Sequence, residues 1–302
     1  MIIADLHCDS LTKVSAERGL LNKYNTSGAD CRLQLFAAFV PHRGRSAEER
    51  RRELMRYANV YFYETDRLSL ARITDSRELC ELTDLGGMGA IFSVEGGGGL
   101  LSESDELFTL SRAGLRVLGP IWDTNELGSC CYDKDDTGLT DEGKRLVRRC
   151  SELGITVDLS HMSDRAFYDS FDISPMPHIA THSNFRDVCG HPRNLTLDMA
   201  RAIVGRGGVI GLNIYPEYLK PGGDATLDDL LRHIDYGLER LGDGALALGL
   251  DIDGTDGRYP APLDESESIH DRVVNELLRR YPDATVRRIA GECATDFFLE
   301  NL

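Results

Sequence analysis

Basic residues are scarce in this sequence relative to acidic ones. The 302 residues include 34 lysines and arginines against 50 aspartates and glutamates, so the formal net charge is −16 at pH 7. A partner that carries a phosphate backbone or anionic lipid headgroups requires a basic protein face that displaces counterions. We therefore expect neither a nucleic-acid partner nor a membrane-surface partner.

The sequence also lacks paired cysteines and long apolar runs. Its eight cysteines are scattered without a CxxC pair, which indicates reduced thiols rather than a disulfide framework. The initial MIIADLHCDS has neither the basic region nor the apolar stretch of a signal peptide or membrane helix, and the final DFFLENL does not resemble an anchor tail. These absences favour a cytoplasmic location.

Short apolar runs alternate along the chain with segments of helical periodicity. We predict strands at eight such runs, which span residues 2–6, 33–40, 90–94, 115–121, 155–159, 178–181, 209–214 and 245–250. We predict helices at roughly 46–73, 103–112, 140–152, 163–171, 196–205, 226–241, 268–280 and 284–299. The chain is therefore predicted to repeat a strand–helix unit.

This alternation predicts the fold class. Strands that alternate with helices form a parallel sheet, and eight is the number of strands that closes a (β/α)8 TIM barrel. A doubly wound open sheet is the alternative. No linker, low-complexity tract or repeat divides the chain, so we predict a single α/β domain over residues 1–302.

Metal-binding side chains follow the predicted strands at the end where βα loops begin, which is where such barrels carry their catalytic groups. The strand-end residues are His7, Asp9, Glu95, Trp122, Asp123, His161, His182, Tyr215 and Asp251. Histidines and carboxylates bind borderline divalent metals. The three histidines, Glu95 and two of the aspartates, Asp9 and Asp251, exceed the ligands of one tetrahedral ion, so we predict two metals that share a ligand.

Glu95 is the natural bridge between these metals. Many binuclear barrel hydrolases use a carboxylated lysine instead, but the five lysines, Lys13, Lys23, Lys134, Lys144 and Lys220, all lie outside strand ends. His7 and Asp9 are two residues apart in a strand, so both point to the same side and can face one metal. His42 and His191 have no comparable setting and are retained only as candidates for contacts behind the ligands.

Six short motifs occur in order along the chain, and they are DLHCDS, SVEGG, DLSHMS, ATHSN, CGHPRN and GLDIDG. In order and spacing they resemble the membrane (renal) dipeptidase family, the M19 metallopeptidases, over nearly the whole chain. Each motif alone is weak evidence for the family, but the six rarely occur together in one sequence. The resemblance implies a (β/α)8 barrel with a binuclear zinc centre that hydrolyses dipeptides, and it also suggests a homodimer.

The resemblance implies roles for individual residues. The implied zinc ligands are His7 and Asp9 for one ion, His161 and His182 for the other, and Glu95 for both. Asp251 resembles the acidic residue that exchanges a proton with the attacking water, and Asp253, expected to point to the same side, ranks second. Arg193 in HPRN matches the arginine that binds the terminal carboxylate of the substrate.

One position departs from the family pattern. The family commonly has a histidine at the end of the fourth strand that stabilises the oxyanion, whereas VLGPIWDTNELG places Trp122 there. Either the indole N–H of Trp122 or Asn125 substitutes for it, or the substrate range differs. Tyr215, at the end of the seventh predicted strand, completes the candidates for substrate binding.

Three functions are consistent with these features. The first is a dipeptidase that uses two Zn²⁺ ions, or other divalent metals, and a small dipeptide substrate. The second is a binuclear hydrolase of another small amide, ester or lactone, which Trp122 favours. The third is a noncatalytic, metal-stabilised barrel that binds a small ligand, and the intact set of six ligand residues counts against it.

Overall fold

Parallel strands form a ring in this computed structural model, which describes residues 1–15, 18–21, 29–264 and 267–302. The strands are β1 (Ile2–Asp5), β2 (Cys31–Phe39), β3 (Ala71–Arg72), β4 (Gly87–Glu95), β5 (Leu115–Gly119), β6 (Thr156–Val157), β7 (Ile210–Leu212) and β8 (Leu246–Leu248). The hydrogen-bonded order is β6-β5-β4-β2-β1-β8-β7, with β3 attached to β4, and every pairing is parallel.

An extended segment closes the ring between β6 and β7. Its Ile179 bridges Asp158, next to β6, and its Ala180 bridges Ile210 of β7, both in the parallel orientation. The backbone N–H of Leu159 donates a 2.8 Å hydrogen bond to Ile179 O. The chain therefore forms the predicted (β/α)8 barrel, and the alternative of an open sheet is wrong.

Helices surround the ring. They are α1 (Ala47–Arg67), α2 (Ser76–Leu85), α3 (Asp105–Ala113), α4 (Asp141–Glu152), α5 (Asp164–Ile173), α6 (Leu197–Gly205), α7 (Pro216–Leu219), α8 (Leu227–Leu241), α9 (Ile269–Arg280), α10 (Asp283–Arg287) and α11 (Cys293–Asn301), with a 3₁₀ turn at Ser10–Lys13 and a π turn at Arg288–Glu292. Among the helices in the described ranges, none has both the length and the hydrophobicity needed to cross a bilayer.

The predicted elements agree with this ring except in four places, one of which is the short helix α7, which was not predicted. The predicted helix 46–73 ends at Arg67, and β3 and α2 follow it without having been predicted. The predicted strand 178–181 consists only of the bridges that close the ring. The predicted helix 284–299 is interrupted by the π turn between α10 and α11.

Side-chain caps explain where several outer helices begin. Ser46 Oγ accepts a hydrogen bond from Glu49 N, and the Glu49 carboxylate accepts one from Ser46 N, so α1 starts with a capping box. Ser104, Thr140 and Ser163 cap α3, α4 and α5 with their hydroxyl oxygens. Such caps satisfy N–H groups that have no partner within the helix, so the preceding βα loops end at defined residues.

The barrel interior is filled with aliphatic side chains. An apolar cluster gathers residues from strands all around the ring, including Leu33, Leu35, Ile91, Val117, Ile179 and Ala247. Helices α2 and α11 contribute Leu79, Leu82, Phe297 and Phe298 to the same cluster. These two helices also pack on each other and close the barrel at the amino ends of its strands. Only the carboxyl ends are left for a site.

Candidate metal centre

Six polar side chains converge at the carboxyl end of the barrel. They are His7, Asp9, Glu95, His161, His182 and Asp251, and all are buried. Their ligand atoms form three overlapping groups, each with all atoms within 4.8 Å of one another: His7–Asp9–Glu95, Glu95–His161–His182 and His7–His182–Asp251. The residues singled out at strand ends are therefore adjacent in space.

Glu95 divides this centre into two halves. The first half consists of His7, Asp9 and Glu95 Oε2, and the second half consists of His161, His182 and Glu95 Oε1. His7 Nε2 lies 3.5 Å from Oε2, whereas His161 Nε2 and His182 Nε2 lie 2.8 and 3.3 Å from Oε1. One carboxylate oxygen therefore faces each half.

Several ligand atoms have no ordinary hydrogen-bond partner among the described residues. His7 Nε2 and Asp9 Oδ1 are buried and unpartnered, and the Nε2 atoms of His161 and His182 face each other at 3.0 Å. A buried polar atom without a partner costs about 1–3 kcal/mol. Imidazole nitrogens and carboxylate oxygens bind Zn²⁺ and related ions, so a divalent ion in each half fits these side chains.

The two halves differ in protonation. Burial, together with the nearby Arg193 guanidinium, lowers the pKa of His161 to about 4, and burial with the charge of His7 lowers the pKa of His182. In the first half burial is opposed by the carboxylates, Glu95 foremost, which raise the pKa of His7 well above its usual value. These shifts favour neutral imidazoles in the second half, and they favour a protonated His7 in the first half, where a metal would compete with that proton.

Asp251 lies against the first half. Its Oδ1 is 3.9 Å from His7 Nε2, and its Oδ2 accepts a 3.0 Å hydrogen bond from Asn213 Nδ2. Burial above all raises the pKa of Asp251, although positive charge on His7 opposes the shift. A carboxylate with a raised pKa suits the exchange of a proton near neutral pH.

Asp253 points away from the centre, contrary to the expectation from strand alternation. Its two oxygens each accept a 2.7 Å hydrogen bond from Arg18 Nη2, and Ser10 Oγ donates to one of them at 2.6 Å. β8 already ends at Leu248, and Asp251 and Asp253 have left-handed φ values of 58° and 72°. Alternating sides apply only to extended backbone, so the two aspartates diverge.

A cavity of about 320 Å³ opens over the centre. Phe39, Pro41 and Trp122 line it from the β2 and β5 loops, and the rings of Phe39 and Trp122 contact each other with centroids 4.8 Å apart. Tyr215, which precedes α7, and Tyr218, within α7, also line it, with ring centroids 4.8 Å apart. This volume is at the lower end of the range for small-molecule sites.

Of the predicted substrate-binding residues, Trp122 and Tyr215 line this cavity and Asn125 does not. Asn125 Nδ2 donates to Pro120 O at 3.1 Å, and Asn125 Oδ1 accepts from Leu127 N at 2.8 Å. The amide of Asn125 is therefore used to close its own loop. Its predicted role in place of the family histidine is not supported by this position.

Arg193 lies behind the second half. Its Nη1 donates to Ser183 Oγ at 2.6 Å, and its Nη2 donates to His182 O at 2.9 Å. Its Nε has no hydrogen-bond partner in the described part of the chain, and its Cζ is 5.7 Å from the ring centroid of Tyr218. The guanidinium therefore adjoins a residue of the cavity wall rather than lining the cavity itself.

The weaker candidates lie outside the centre. His42 Nδ1 is 3.7 Å from Glu126 Oε2, and the ring of His191 packs on that of Tyr218 with centroids 4.8 Å apart. Asp123 accepts backbone N–H groups of the His42 loop. Among the lysines in the described ranges none belongs to the metal-binding groups, and Lys23 lies outside those ranges.

Sequence reasoning missed a layer of residues behind the ligands. Asp5 accepts the backbone N–H of His7 at 3.2 Å, and Asp158 accepts that of Ser160 at 3.0 Å, so each aspartate binds the residue two positions further on. Asp158 also accepts the N–H of Thr181 at 2.9 Å. The available signal was a charged residue inside an otherwise apolar predicted strand.

Comparison with known proteins gives consistent results. A model of the membrane dipeptidase family, peptidase family M19, matches residues 2–295. An uncharacterised protein in the pqqA 5′ region of Klebsiella pneumoniae is 38% identical over 172 residues, which are 53% of this chain and 64% of that protein. Another, in the PQQ-III 3′ region of Acinetobacter calcoaceticus, is 33% identical over 162 residues, 50% of this chain and 51% of that protein. The chain thus spans less than two thirds of either relative.

A solved structure has a similar fold. A metallopeptidase of Rhodobacter sphaeroides, crystallised with a phosphinate mimic of the dipeptide L-Ala-D-Ala, superimposes with a TM-score of 0.87 over 100% of this chain and 99% of that chain. The two sequences are 23% identical. The likeness extends over the complete barrel.

Proposed function

Because this chain belongs to the membrane dipeptidase family, peptidase family M19, we propose that it is a metal-dependent dipeptidase with two Zn²⁺ ions. The observation that carries the proposal is that the two oxygens of the Glu95 carboxylate face different halves of the centre. One of its oxygens lies 2.8 Å from His161 Nε2, and the other lies 3.5 Å from His7 Nε2. This arrangement supports a pair of ions that share one ligand.

Each half of the centre would hold one ion. His7 and Asp9 would bind the first, His161 and His182 would bind the second, and Glu95 would bridge them. When bound, the two ions would supply an activated water as nucleophile and a Lewis acid for the carbonyl oxygen. Ligands of nitrogen and oxygen in this mixture suit zinc.

Asp251 is the proposed general acid–base. Its Oδ2 is held by Asn213 Nδ2, which leaves Oδ1, on the side of His7, free to take a proton from the attacking water. The same oxygen would return that proton to the leaving amine. Burial of Asp251 favours its protonated form, and a group that is readily protonated near neutral pH is efficient in both directions.

The cavity wall and Arg193 would select the substrate. Arg193 carries a fixed positive charge close to Tyr218, so it attracts the terminal carboxylate of a small zwitterion toward the side of the second half. Trp122, with Phe39, contributes apolar surface to the cavity wall. A dipeptide is of the size that this volume accepts.

The decisive experiment measures hydrolysis of a panel of dipeptides by the purified chain, alongside elemental analysis. We expect about two divalent ions per chain, hydrolysis that is lost on treatment with a chelator, and recovery on addition of Zn²⁺. One ion or none in an active, fully loaded preparation would contradict the binuclear centre.

A hydrolase of another small amide, ester or lactone is the second candidate. It is favoured by Trp122, which replaces a histidine at the end of β5, and by Arg193, which does not line the cavity. Rapid chelator-sensitive hydrolysis of small esters or lactones, with no hydrolysis of dipeptides, would select this candidate. Metal binding without either activity would select a noncatalytic ligand-binding barrel.

The proposal extends to location and assembly. We propose a cytoplasmic protein, because all eight cysteines are free thiols and reducing compartments preserve such thiols. We also propose a homodimer, as the family resemblance suggests. Cell fractionation tests the first statement, and light scattering coupled to size-exclusion chromatography tests the second.

A further inference from the structure

A buried chain of hydrogen bonds connects Asp158 through Thr181 to His182. Thr181 Oγ1 lies 2.6 Å from Asp158 Oδ2 and 2.7 Å from His182 Nδ1. All three residues are at most 3% exposed, so water does not compete for these hydrogen bonds.

The direction of these hydrogen bonds follows from the groups involved. An ionised carboxylate only accepts hydrogen bonds, so the Thr181 hydroxyl donates its single proton to Asp158. The hydroxyl oxygen can then only accept, and the donor is Nδ1–H of His182. A neutral imidazole with its proton on Nδ1 has its lone pair on Nε2, the atom that lies 3.3 Å from Glu95 Oε1.

Asp158 is itself held in place by backbone groups. Its Oδ1 accepts hydrogen bonds from Ser160 N at 3.0 Å and from Thr181 N at 2.9 Å. These two N–H groups belong to neighbouring positions of the barrel ring, so the carboxylate is tied to both. Its Oδ2 is thereby fixed as the acceptor that orients the Thr181 hydroxyl.

The same hydroxyl discriminates between the two halves. It lies 3.5 Å from His7 Nδ1, at the limit of a hydrogen bond, against 2.7 Å from His182 Nδ1. The rings of His7 and His182 stack with centroids 3.8 Å apart. Thr181 therefore lies behind one histidine of each half but binds only that of the second half at short range.

We propose that Asp158 and Thr181 are positioning residues that fix His182 as its Nδ1–H tautomer and aim its Nε2 at the second half of the metal centre. This inference rests on the proposed binuclear centre. Partners that orient a metal-binding histidine from behind contribute roughly 10- to 100-fold in metal affinity.

The first test needs neither metal nor substrate. In the metal-stripped full chain labelled with ¹⁵N-histidine, NMR shifts report which ring nitrogen of His182 carries the proton, with assignment by comparison with H182Q. We expect Nδ1–H in the unaltered chain. We expect D158N to move the proton to Nε2, because the amide can donate to Thr181 Oγ1 and so turn the hydroxyl toward Nδ1.

The second test measures metal affinity. T181V removes the hydroxyl at nearly constant volume, whereas T181S retains it. We expect T181V to weaken one of two zinc-binding events roughly 10- to 100-fold and to change the visible spectrum of the Co²⁺-loaded chain, with T181S close to the unaltered protein. T295V is the matched control, because the buried Thr295 hydroxyl of α11 donates to Gly291 O of the π turn, away from the centre.

The outcomes separate this inference from the proposed function. An Nε2–H tautomer of His182 in the unaltered chain would overturn the inference, and so would T181V with unchanged tautomer and metal affinity. Equal losses in T181V and T181S would show that the shape of the side chain, not its hydroxyl, matters. A chain with two bound metals, the Nδ1–H tautomer and no dipeptidase activity would overturn the proposed function alone.

Discussion

The two halves of the metal centre differ in their ligands. The first half has one imidazole and two carboxylates, counting the shared Glu95, whereas the second half has two imidazoles and only the shared carboxylate. Imidazole-rich sites suit zinc, and oxygen-rich sites accept harder ions more readily. The carboxyl end of the barrel thus presents two candidate sites of different chemistry that share Glu95.

The supports behind the two halves differ as well. Behind the first half, Asp5 accepts the backbone N–H groups of His7 and Leu250, at 3.2 and 3.0 Å, and lies 2.7 Å from His270 Nε2. Behind the second half, Asp158 acts through a hydroxyl on an imidazole ring. Both buried aspartates therefore fix backbone N–H groups, and Asp158 also acts, through the Thr181 hydroxyl, on the ring of His182.

This contrast in supports predicts a difference in metal binding between the two halves. A histidine ring that is held from behind by a short hydrogen bond, as His182 is, is oriented more strictly than the His7 ring, whose distance to the same hydroxyl is 3.5 Å. We therefore expect the second half to be the more selective and the tighter zinc site. The four predictions below test this contrast, from the largest expected effect to the smallest.

The largest effect is expected from E95Q, which changes the ligand common to both halves. Both metals should be weakened together, and activity should fall on the order of 10⁴-fold or more, because both the activated water and the Lewis acid are lost, several kcal/mol each. In H161Q, by contrast, chiefly the second half should be emptied. Elemental analysis of both variants provides the measurement, and one fully retained equivalent of metal in E95Q would show that Glu95 is not shared.

The next largest effect is expected from D251N. Asp251 lies against the first half but is not one of the residues that make up either half. Metal content should remain near that of the unaltered chain, while turnover should fall by roughly 10²- to 10⁴-fold, the usual contribution of a general acid–base. D253N is the comparison variant, because Asp253 binds Arg18 and Ser10 instead of facing the centre. Steady-state kinetics should show a smaller loss for D253N, and equal losses would mean that the roles are misassigned.

A smaller effect is expected from R193K. This variant tests whether Arg193 binds the substrate carboxylate or instead supports the second half through its hydrogen bond to His182 O. If Arg193 binds the substrate carboxylate, an ammonium cannot reproduce its bidentate contact, and R193K should lower kcat/KM on a dipeptide by a factor equivalent to about 2–4 kcal/mol. The unaltered enzyme should also discriminate against the C-terminal amide of the same dipeptide. If R193K instead loses the second metal while both substrates react alike, then the hydrogen bond from Arg193 to His182 O is its main role.

The smallest effect concerns the order in which the halves fill. When the metal-stripped chain is titrated with Zn²⁺, we expect the second half to bind at least about tenfold more tightly, which is ~1.4 kcal/mol. H161Q should remove the tighter event in isothermal titration calorimetry, and D9N should remove the weaker one. The reverse assignment would contradict the ligand argument.

Much of the fold and of the centre could be predicted from sequence, because both depend on local patterns. Short apolar runs predict strands, and a histidine or carboxylate directly after a strand lies at the carboxyl edge of a parallel ring. His7, Glu95 and His161 could therefore be grouped before any contact was known. Their role as ligands stays a prediction, although their adjacency is a feature of the structure.

The remainder depends on contacts and backbone angles that no local pattern specifies. Asp253 was expected beside Asp251, but left-handed φ values at both residues turn the carboxylates apart. Asn125 was a candidate for substrate binding, but its amide hydrogen-bonds within its own loop. Asp158 hydrogen-bonds to Thr181 in the neighbouring extended segment of the ring. Its role can therefore be recognised only when the pairing of these two segments is known.

The parallel pairing of β1 with both β2 and β8 has a consequence for biosynthesis. His7 is synthesised well before Asp251, but its strand is completed only when β8 and Asp251 have followed, since Leu6 N donates to Leu248 O and Asp251 N donates to His7 O. At about 5–20 residues per second, synthesis of the intervening chain takes tens of seconds at the slower rates. A nascent chain that ends before β8 therefore cannot bring Asp251 against the first half, and the backbone pairing that holds His7 beside Asp251 forms only after β8 has been made.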